Sequence, residues 1–263
     1  MTDVQTWHYG IVAKHWAENN LDGPEIAFFQ EQIERYGTPA LDAGCGTGRI
    51  LIPLLKVGLD VDGCDVSPDM LAYCKQRAEA EGLSLNLYQS ALHEIDLPRQ
   101  FQTIFACGVF GLGVSRSQDF IALQRFYDQL LPGGVLLLEN YLPYSDKDDW
   151  KLWIEDGRKD LPKPWPDTIG AIPDDGADSQ MHHRLVSFDP LEQRLVHEMR
   201  LLEFKEGELV GDITHPLVNN FYFRNELRAL LEKAGFIIEQ ELGDWTNEPA
   251  TASTKVIIFV ARK

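Results

Sequence analysis

Leu41-Asp42-Ala43-Gly44-Cys45-Gly46-Thr47-Gly48 is a strand-like apolar segment that breaks into three alternating glycines before a helical pattern begins. Glycines there let the backbone turn tightly and approach a ligand with no Cβ in the way. A helix opening behind them would present free N–H groups and a positive dipole end. The next strand-like run, Asp60-Val61-Asp62-Gly63-Cys64, ends at Asp65, 21 residues after Gly44. A doubly wound α/β fold places a carboxylate at that point to accept hydrogen bonds from a ribose diol. Strand, glycine turn and acid in register read together as a nucleotide-binding loop.

Glycine spacing narrows the choice of nucleotide. The dinucleotide fingerprint is G-x-G-x-x-G, with a small third residue for close helix–strand packing. Here the third glycine falls one residue early, at Gly48, and Arg49 fills the fingerprint position. That departure argues against a nicotinamide-dependent oxidoreductase. Asp42, two residues before Gly44, would repel a pyrophosphate but suits a ligand that carries an ammonium group.

An acid, G-x-G-x-G and a second acid in this arrangement resemble class I S-adenosylmethionine-dependent methyltransferases. The cofactor of that family has an amino-acid moiety, a ribose and no phosphate. The resemblance spans about residues 9–143 and 221–263. It implies an α/β, doubly wound Rossmann-like seven-stranded sheet with an antiparallel edge hairpin. It also implies methyl transfer to N, O or S of an acceptor by in-line displacement. A non-catalytic S-adenosylmethionine-binding protein is the second reading.

The resemblance sets Gly44, Cys45 and Gly46 against the methionine moiety, with Asp42 near its ammonium and Arg49 beside the loop. Asp65 takes the ribose diol, Val66 and Met70 lie beside the adenine, and Cys107 and Gly108 lie by the sulfonium. Ala91 and Leu92 occupy the place where the family often has an acid for the adenine amine. Tyr9, Ala13 and Trp16 share one helical face and match a Y-x-x-x-A-x-x-[YW] pattern that opens this family as a lid. A sulfonium carries its own activated leaving group, so no fixed catalytic residue follows from the family. His15, Glu139 and His215 are candidate bases, and Trp7, Tyr9, Tyr141 and Tyr222 are candidate walls for an apolar or cationic acceptor.

Charge bears on the acceptor. With 24 Lys and Arg against 41 Asp and Glu, the 263-residue chain carries a formal charge of −17. Nucleic-acid binders need basic surface to displace counterions, so composition speaks against a DNA, rRNA or tRNA substrate. After the fourth strand, Ala106-Cys107-Gly108-Val109-Phe110-Gly111 lacks the [DN]-P-P-[YF] run of enzymes that methylate adenine or glutamine. A small-molecule acceptor is therefore expected. No apolar run approaches the roughly 18 residues of a membrane span, and Met1-Thr2-Asp3-Val4-Gln5 has no signal-peptide shape, so a cytoplasmic location is expected. Cys45, Cys64, Cys74 and Cys107 form no C-x-x-C pair and read as reduced thiols, with no metal site.

The element pattern divides the chain into an N-terminal helical segment (1–36), a core (37–143 and 221–263) and a β-rich insertion (144–220); the resemblance makes the first a lid and implies that the insertion encloses substrate or joins two copies in a homodimer. Core strands are expected at 40–42, 60–65, 84–89, 101–107 and 135–139, with a closing hairpin at 236–242 and 255–261. Core helices are expected at 47–57, 68–81, 119–131 and 224–234. Alternating segments at 181–188, 194–205 and 209–217 make the insertion a small antiparallel sheet.

Overall fold

The computed structural model describes residues 6, 8–166 and 178–263; Trp7 lies outside them. Two helices open the chain, α1 (Gly10–Asn19) and α2 (Glu25–Tyr36). The core then alternates β1 (Ala40–Ala43), α3 (Leu51–Lys56), β2 (Val61–Asp65), α4 (Pro68–Ala80), β3 (Leu87–Gln89), β4 (Phe101–Ala106), α5 (Arg116–Gln129) and β5 (Leu130–Tyr141). Two short helices, α6 (Lys147–Lys151) and α7 (Glu155–Arg158), precede β6 (Ser179–Asp189), β7 (Arg194–Lys205) and β8 (Glu208–Asn220). The chain closes with α8 (Arg224–Ala234), β9 (Ile237–Gly243) and β10 (Val256–Arg262).

Seven strands form one sheet in the order β3-β2-β1-β4-β5-β10-β9. The first five neighbours run parallel, and β10 runs antiparallel to both β5 and β9. Strand periodicity of two sorts β5 onto both faces. Leu136 and Leu138 pack with Leu123 and Phe126 of α5 and Leu227 and Leu231 of α8. Val135 and Leu137 pack on the other face with Phe29 and Ile33 of α2 and Leu51 and Leu54 of α3. Parallel strands buried on both sides read as continuous apolar runs, as β5 does.

Several boundaries differ from the sequence reading, among them the start of β3 and three others that have a local cause. The helix expected from Thr47 becomes regular only at Leu51, because Gly44, Gly46 and Gly48 adopt φ of +89°, +52° and +82°. Left-handed backbone cannot continue a right-handed helix, so the loop is longer and the helix shorter. Helix α5 begins at Arg116 rather than Asp119, since Ser115 and Gln118 form a reciprocal capping box. Strand β5 begins at Leu130, with the Pro132-Gly133-Gly134 turn absorbed as a register shift opposite Phe101–Thr103.

The insertion is a separate three-stranded antiparallel sheet, β6-β7-β8. Val12 of α1 packs on Met199 and Leu201 of β7, which fixes the N-terminal helix over this sheet. At its other end, Phe188, Leu195 and Phe221 bury Leu152. Asn220 and Tyr222 then tie the insertion back to the core. Their Nδ2 and hydroxyl groups both donate to the buried carboxylate of Asp119 in α5, each at 2.7 Å.

Removing one donor leaves a buried carboxylate short of a partner, the expensive direction for a hydrogen bond. Tyr222→Phe is expected to lower unfolding stability by about 1–3 kcal/mol. Urea unfolding should show a lower midpoint at unchanged slope.

Candidate cofactor site

The glycine loop and the ends of β1, β2 and β4 surround a cleft of about 410 Å³. Of the residues singled out by sequence, Trp16, Asp42, Gly44, Cys45, Gly46, Arg49, Asp65, Val66, Met70, Cys107 and Gly108 all line it. Ala91 and Leu92 line a narrower extension of about 50 Å³ that shares Gly44, Asp65 and Val66 with the main cleft. Tyr9 lines neither. It is the N-cap of α1, close enough to Asp65 and Asp69 that burial and then their charges hold its hydroxyl above the ordinary range.

Loop hydrogen bonds turn inward. The N–H groups of Gly44 and Cys45 both donate to the Cys64 carbonyl, at 2.8 and 2.9 Å, and Gly48 N–H donates to the Cys45 carbonyl at 2.9 Å. Gly46 N–H donates to Asp65 Oδ2 at 3.0 Å, and Ser67 N–H donates to Asp65 Oδ1 at 2.8 Å. The sequence reading expected free N–H groups on a helix opening behind the loop. The N–H groups of Gly44, Cys45, Gly46 and Gly48 are instead bonded within the chain, and the regular helix starts further on, at Leu51. Gly44 is also pressed against β4's exit, where a Cβ would sit 2.6 Å from the Val109 side chain.

What this leaves facing the cleft is negative. Asp42 is 3% exposed, and among the described residues no hydrogen-bond donor reaches its carboxylate. Burial, and next the charge of Asp65, pushes its carboxyl well above the usual range. Asp65 is raised by burial too, against the backbone N–H bonds that favour its ionised form. Arg49 does not answer Asp42, because it pairs with the buried carboxylate of Glu25 at the start of α2. A buried, unpaired carboxylate is costly unless a cation meets it.

The group implied by the family fits this chemistry. An ammonium and a sulfonium find carboxylates, and a ribose diol finds Asp65, whose oxygens keep lone pairs beyond the two N–H bonds. A pyrophosphate would find two acids, and the N–H groups of Gly44, Cys45, Gly46 and Gly48 already bonded.

Some lining residues carry no local sequence signal. His8 lies in the cleft wall, stacked edge-on against Trp16 at 5.8 Å, with its carbonyl accepting from Ser67 Oγ at 2.5 Å. Burial lowers its imidazole to about 4. Leu217 and Asn219 come from β8, and Asn219 reaches the cleft by bridging to Leu112. Of the candidate bases, His15 interacts with Ser179 Oγ at 3.3 Å and His215 sits opposite Met199; neither lines the cleft. Glu139 lies just behind it, with Oε2 accepting from Cys107 Sγ at 2.6 Å and from Trp245 Nε1 at 3.3 Å. Among the described residues, no group of three or more His, Cys, Asp or Glu side chains is placed to hold a metal ion, and no helix is long and apolar enough to cross a membrane.

Residues 40–134 match the family model described as a methyltransferase domain. A putative methyltransferase of Geobacillus sp. (strain WCH70) is 25% identical over 244 residues, covering 90% of this chain and 91% of the relative. Among solved structures, an S-adenosylmethionine-dependent methyltransferase from Clostridium acetobutylicum ATCC 824 superposes with a TM-score of 0.74 at 16% identity, covering 95% and 96% of the two chains. An amino pentose methyltransferase from Micromonospora echinaspora superposes at 0.63 with 17% identity, covering 98% and 99%. Fold and cleft together define an α/β enzyme that takes S-adenosylmethionine. Residues 40–134 carry a methyltransferase domain, and the whole chain has the fold of S-adenosylmethionine-dependent methyltransferases.

Asp42→Asn separates binding from stability. The native carboxyl is raised above its ordinary 3.8, so the charge destabilises the unliganded fold as pH rises through and beyond that value. The variant should therefore melt higher than the parent at neutral pH, with the difference vanishing in acid. Its affinity for S-adenosylhomocysteine should fall about tenfold or more, as for the loss of one charge-assisted bond of ~1.5–3 kcal/mol. Scanning calorimetry with and without the ligand reads both effects.

Proposed function

We propose that this chain transfers the methyl group of S-adenosylmethionine to a small-molecule acceptor held beneath the three-stranded sheet. One observation carries the reading: the loop spends the N–H groups of Gly44, Cys45, Gly46 and Gly48 internally and presents the unpaired buried carboxylate of Asp42 to the cleft. Such a loop selects a cationic, phosphate-free nucleotide.

The bound cofactor supplies an activated methyl group on a positively charged sulfur. The chain's own part is to grip, orient and dehydrate. In this reading Asp42 meets the ammonium, Asp65 the ribose hydroxyls, and Val66, Met70, Ala91 and Leu92 the adenine. Cys107 and Gly108 lie beside the methyl donor. Helix α1, anchored on β7 and by Gly10 N–H to Asp69 Oδ2 at 2.6 Å, acts with residues 1–36 as a lid.

The formal charge of −17 supports a neutral or cationic acceptor over a polyanion, since a field of that sign repels nucleic acid and steers cations inward. The likeness to an amino pentose methyltransferase points the same way. A cytoplasmic enzyme acting on a metabolite is consistent with both.

Calorimetric titration with S-adenosylhomocysteine, paired with NADH, tests the reading. Micromolar binding of the first and no heat from the second are expected; binding of NADH alone would overturn it. Asp65→Ala should weaken S-adenosylhomocysteine about ten- to a hundredfold, the order of charge-assisted bonds of ~1.5–3 kcal/mol. Unchanged affinity would remove Asp65 from the site.

A further inference from the structure

A second cavity, of about 270 Å³, opens between the core sheet and the three-stranded sheet. It shares Gly108, Val109, Leu112 and Asn219 with the cofactor cleft, so the two spaces meet at the exit of β4. Glu139 and Tyr141 enter it from β5, Asp149 from α6, His197 from β7 and Asn219 from β8.

Its charged groups have one sign. No Lys or Arg is among the described residues that line it. Glu139 is 9% exposed, and Asp149 lies at the other side, held by the Tyr141 hydroxyl. His197 is driven to about 4, first by burial and then by His183, so its ring is neutral at pH 7. Asn219 Oδ1 is buried in the wall and has no hydrogen-bond donor. A buried acceptor without a donor costs about 1–3 kcal/mol, which an entering N–H recovers.

Those acceptors sort the possible occupants. A carboxylate, sulfate or phosphate would stand beside two acids with no counterion. An ether or ketone brings no donor to either carboxylate. A protonated amine brings several donors and a charge, and meets carboxylates, Asn219 Oδ1 and the rings of Tyr141 and Phe221.

We propose that this cavity is the acceptor site, that the acceptor is a primary or secondary amine on a small molecule, and that Glu139 takes its proton. The inference rests on the methyltransferase reading of the adjoining cleft. The amine enters as an ammonium and gives one proton to the Glu139 carboxylate, which leaves a nitrogen lone pair. That lone pair forms the N–CH3 bond as the S–CH3 bond breaks, and the electrons of the broken bond stay on sulfur. Positive charge thereby passes from sulfur to nitrogen, and the Glu139 proton leaves to solvent. Burial raises the Glu139 carboxyl above the ordinary range and so brings it closer to an amine, which makes it the better proton acceptor.

The test pairs an aminohexose, an arylethylamine and an aliphatic diamine with their hydroxyl congeners, each titrated into protein loaded with S-adenosylhomocysteine. At least one amine should bind where its congener gives no heat, and should release S-adenosylhomocysteine when S-adenosylmethionine is supplied. Glu139→Gln should then lower kcat about a hundredfold or more, the usual worth of a positioned base. Its S-adenosylhomocysteine affinity should stay unchanged, which shows an intact fold. The parent rate should rise with pH and level off as Glu139 ionises, and the variant should lose that limb. Cys107, Trp245 and Arg49 face Glu139 from the cofactor side, and Asp149 and His197 line the same cavity, so Asp149→Asn should raise KM tenfold while keeping the limb. Equal binding of hydroxyl congeners, silence from every amine, or an unchanged pH profile in Glu139→Gln would overturn the proposal. Failure of S-adenosylhomocysteine itself to bind would instead overturn the cofactor reading.

Discussion

The carboxylate of Asp65 is the tie on which the site depends. It ends β2, accepts from Gly46 across the glycine loop and from Ser67 at the start of α4, and so fixes three segments at one point. Its neighbour Cys64 receives two more loop N–H groups on its carbonyl. With those donors consumed, the loop keeps its left-handed glycines in place without any ligand. The cofactor therefore meets a shape already formed, and little of its binding energy goes into ordering the loop.

That economy has an electrostatic consequence. A glycine loop with free amides attracts phosphate, whereas one whose amides face the protein leaves its acids to set the field. Asp42 and Asp65 stand close enough that each is affected by burial, and Asp42 by the other's charge as well. Arg49 would cancel this field if it were loose in the cleft, but Glu25 holds it at the start of α2. The cation that compensates Asp42 is left to the ligand. The cost borne by the empty protein becomes selectivity for a positively charged nucleotide.

The core was legible in the sequence wherever local chemistry decides structure. Ser67 caps α4 with its hydroxyl accepting from Met70 N–H at 3.2 Å, and Pro68 follows at the first helical position. Gly235 ends α8 with a φ of +106°. The acid and the glycine loop come together in one cleft because strand register, once set, carries Asp65 to the loop. The N–H bookkeeping of the loop was not legible, since it turns on which carbonyl each amide finds after folding. Ser115 and Gln118 did carry a capping-box signal for the true start of α5. His8, Leu217 and Asn219 were invisible for another reason. They reach the cleft through the docking of α1 on β7 and the bridge from Asn219 to Leu112, contacts made across long stretches of chain.

Methyl transfer moves a positive charge a short distance, from sulfur to the accepting atom. An enzyme favours it by placing acids at both ends of that path and withholding cations from the far end. Asp42 lies at the near end, Glu139 lies beyond Cys107 and Gly108, and the thiol of Cys107 touches Glu139. Burial raises that thiol well above its ordinary range, so it stays neutral and does not compete for the methyl group as a thiolate. The three-stranded sheet adds His197 and Asn219 to the cavity that Glu139 lines. Inserted between β5 and α8, the sheet brings these residues to the cavity that Gly108 at the exit of β4 and Tyr141 at the end of β5 also line.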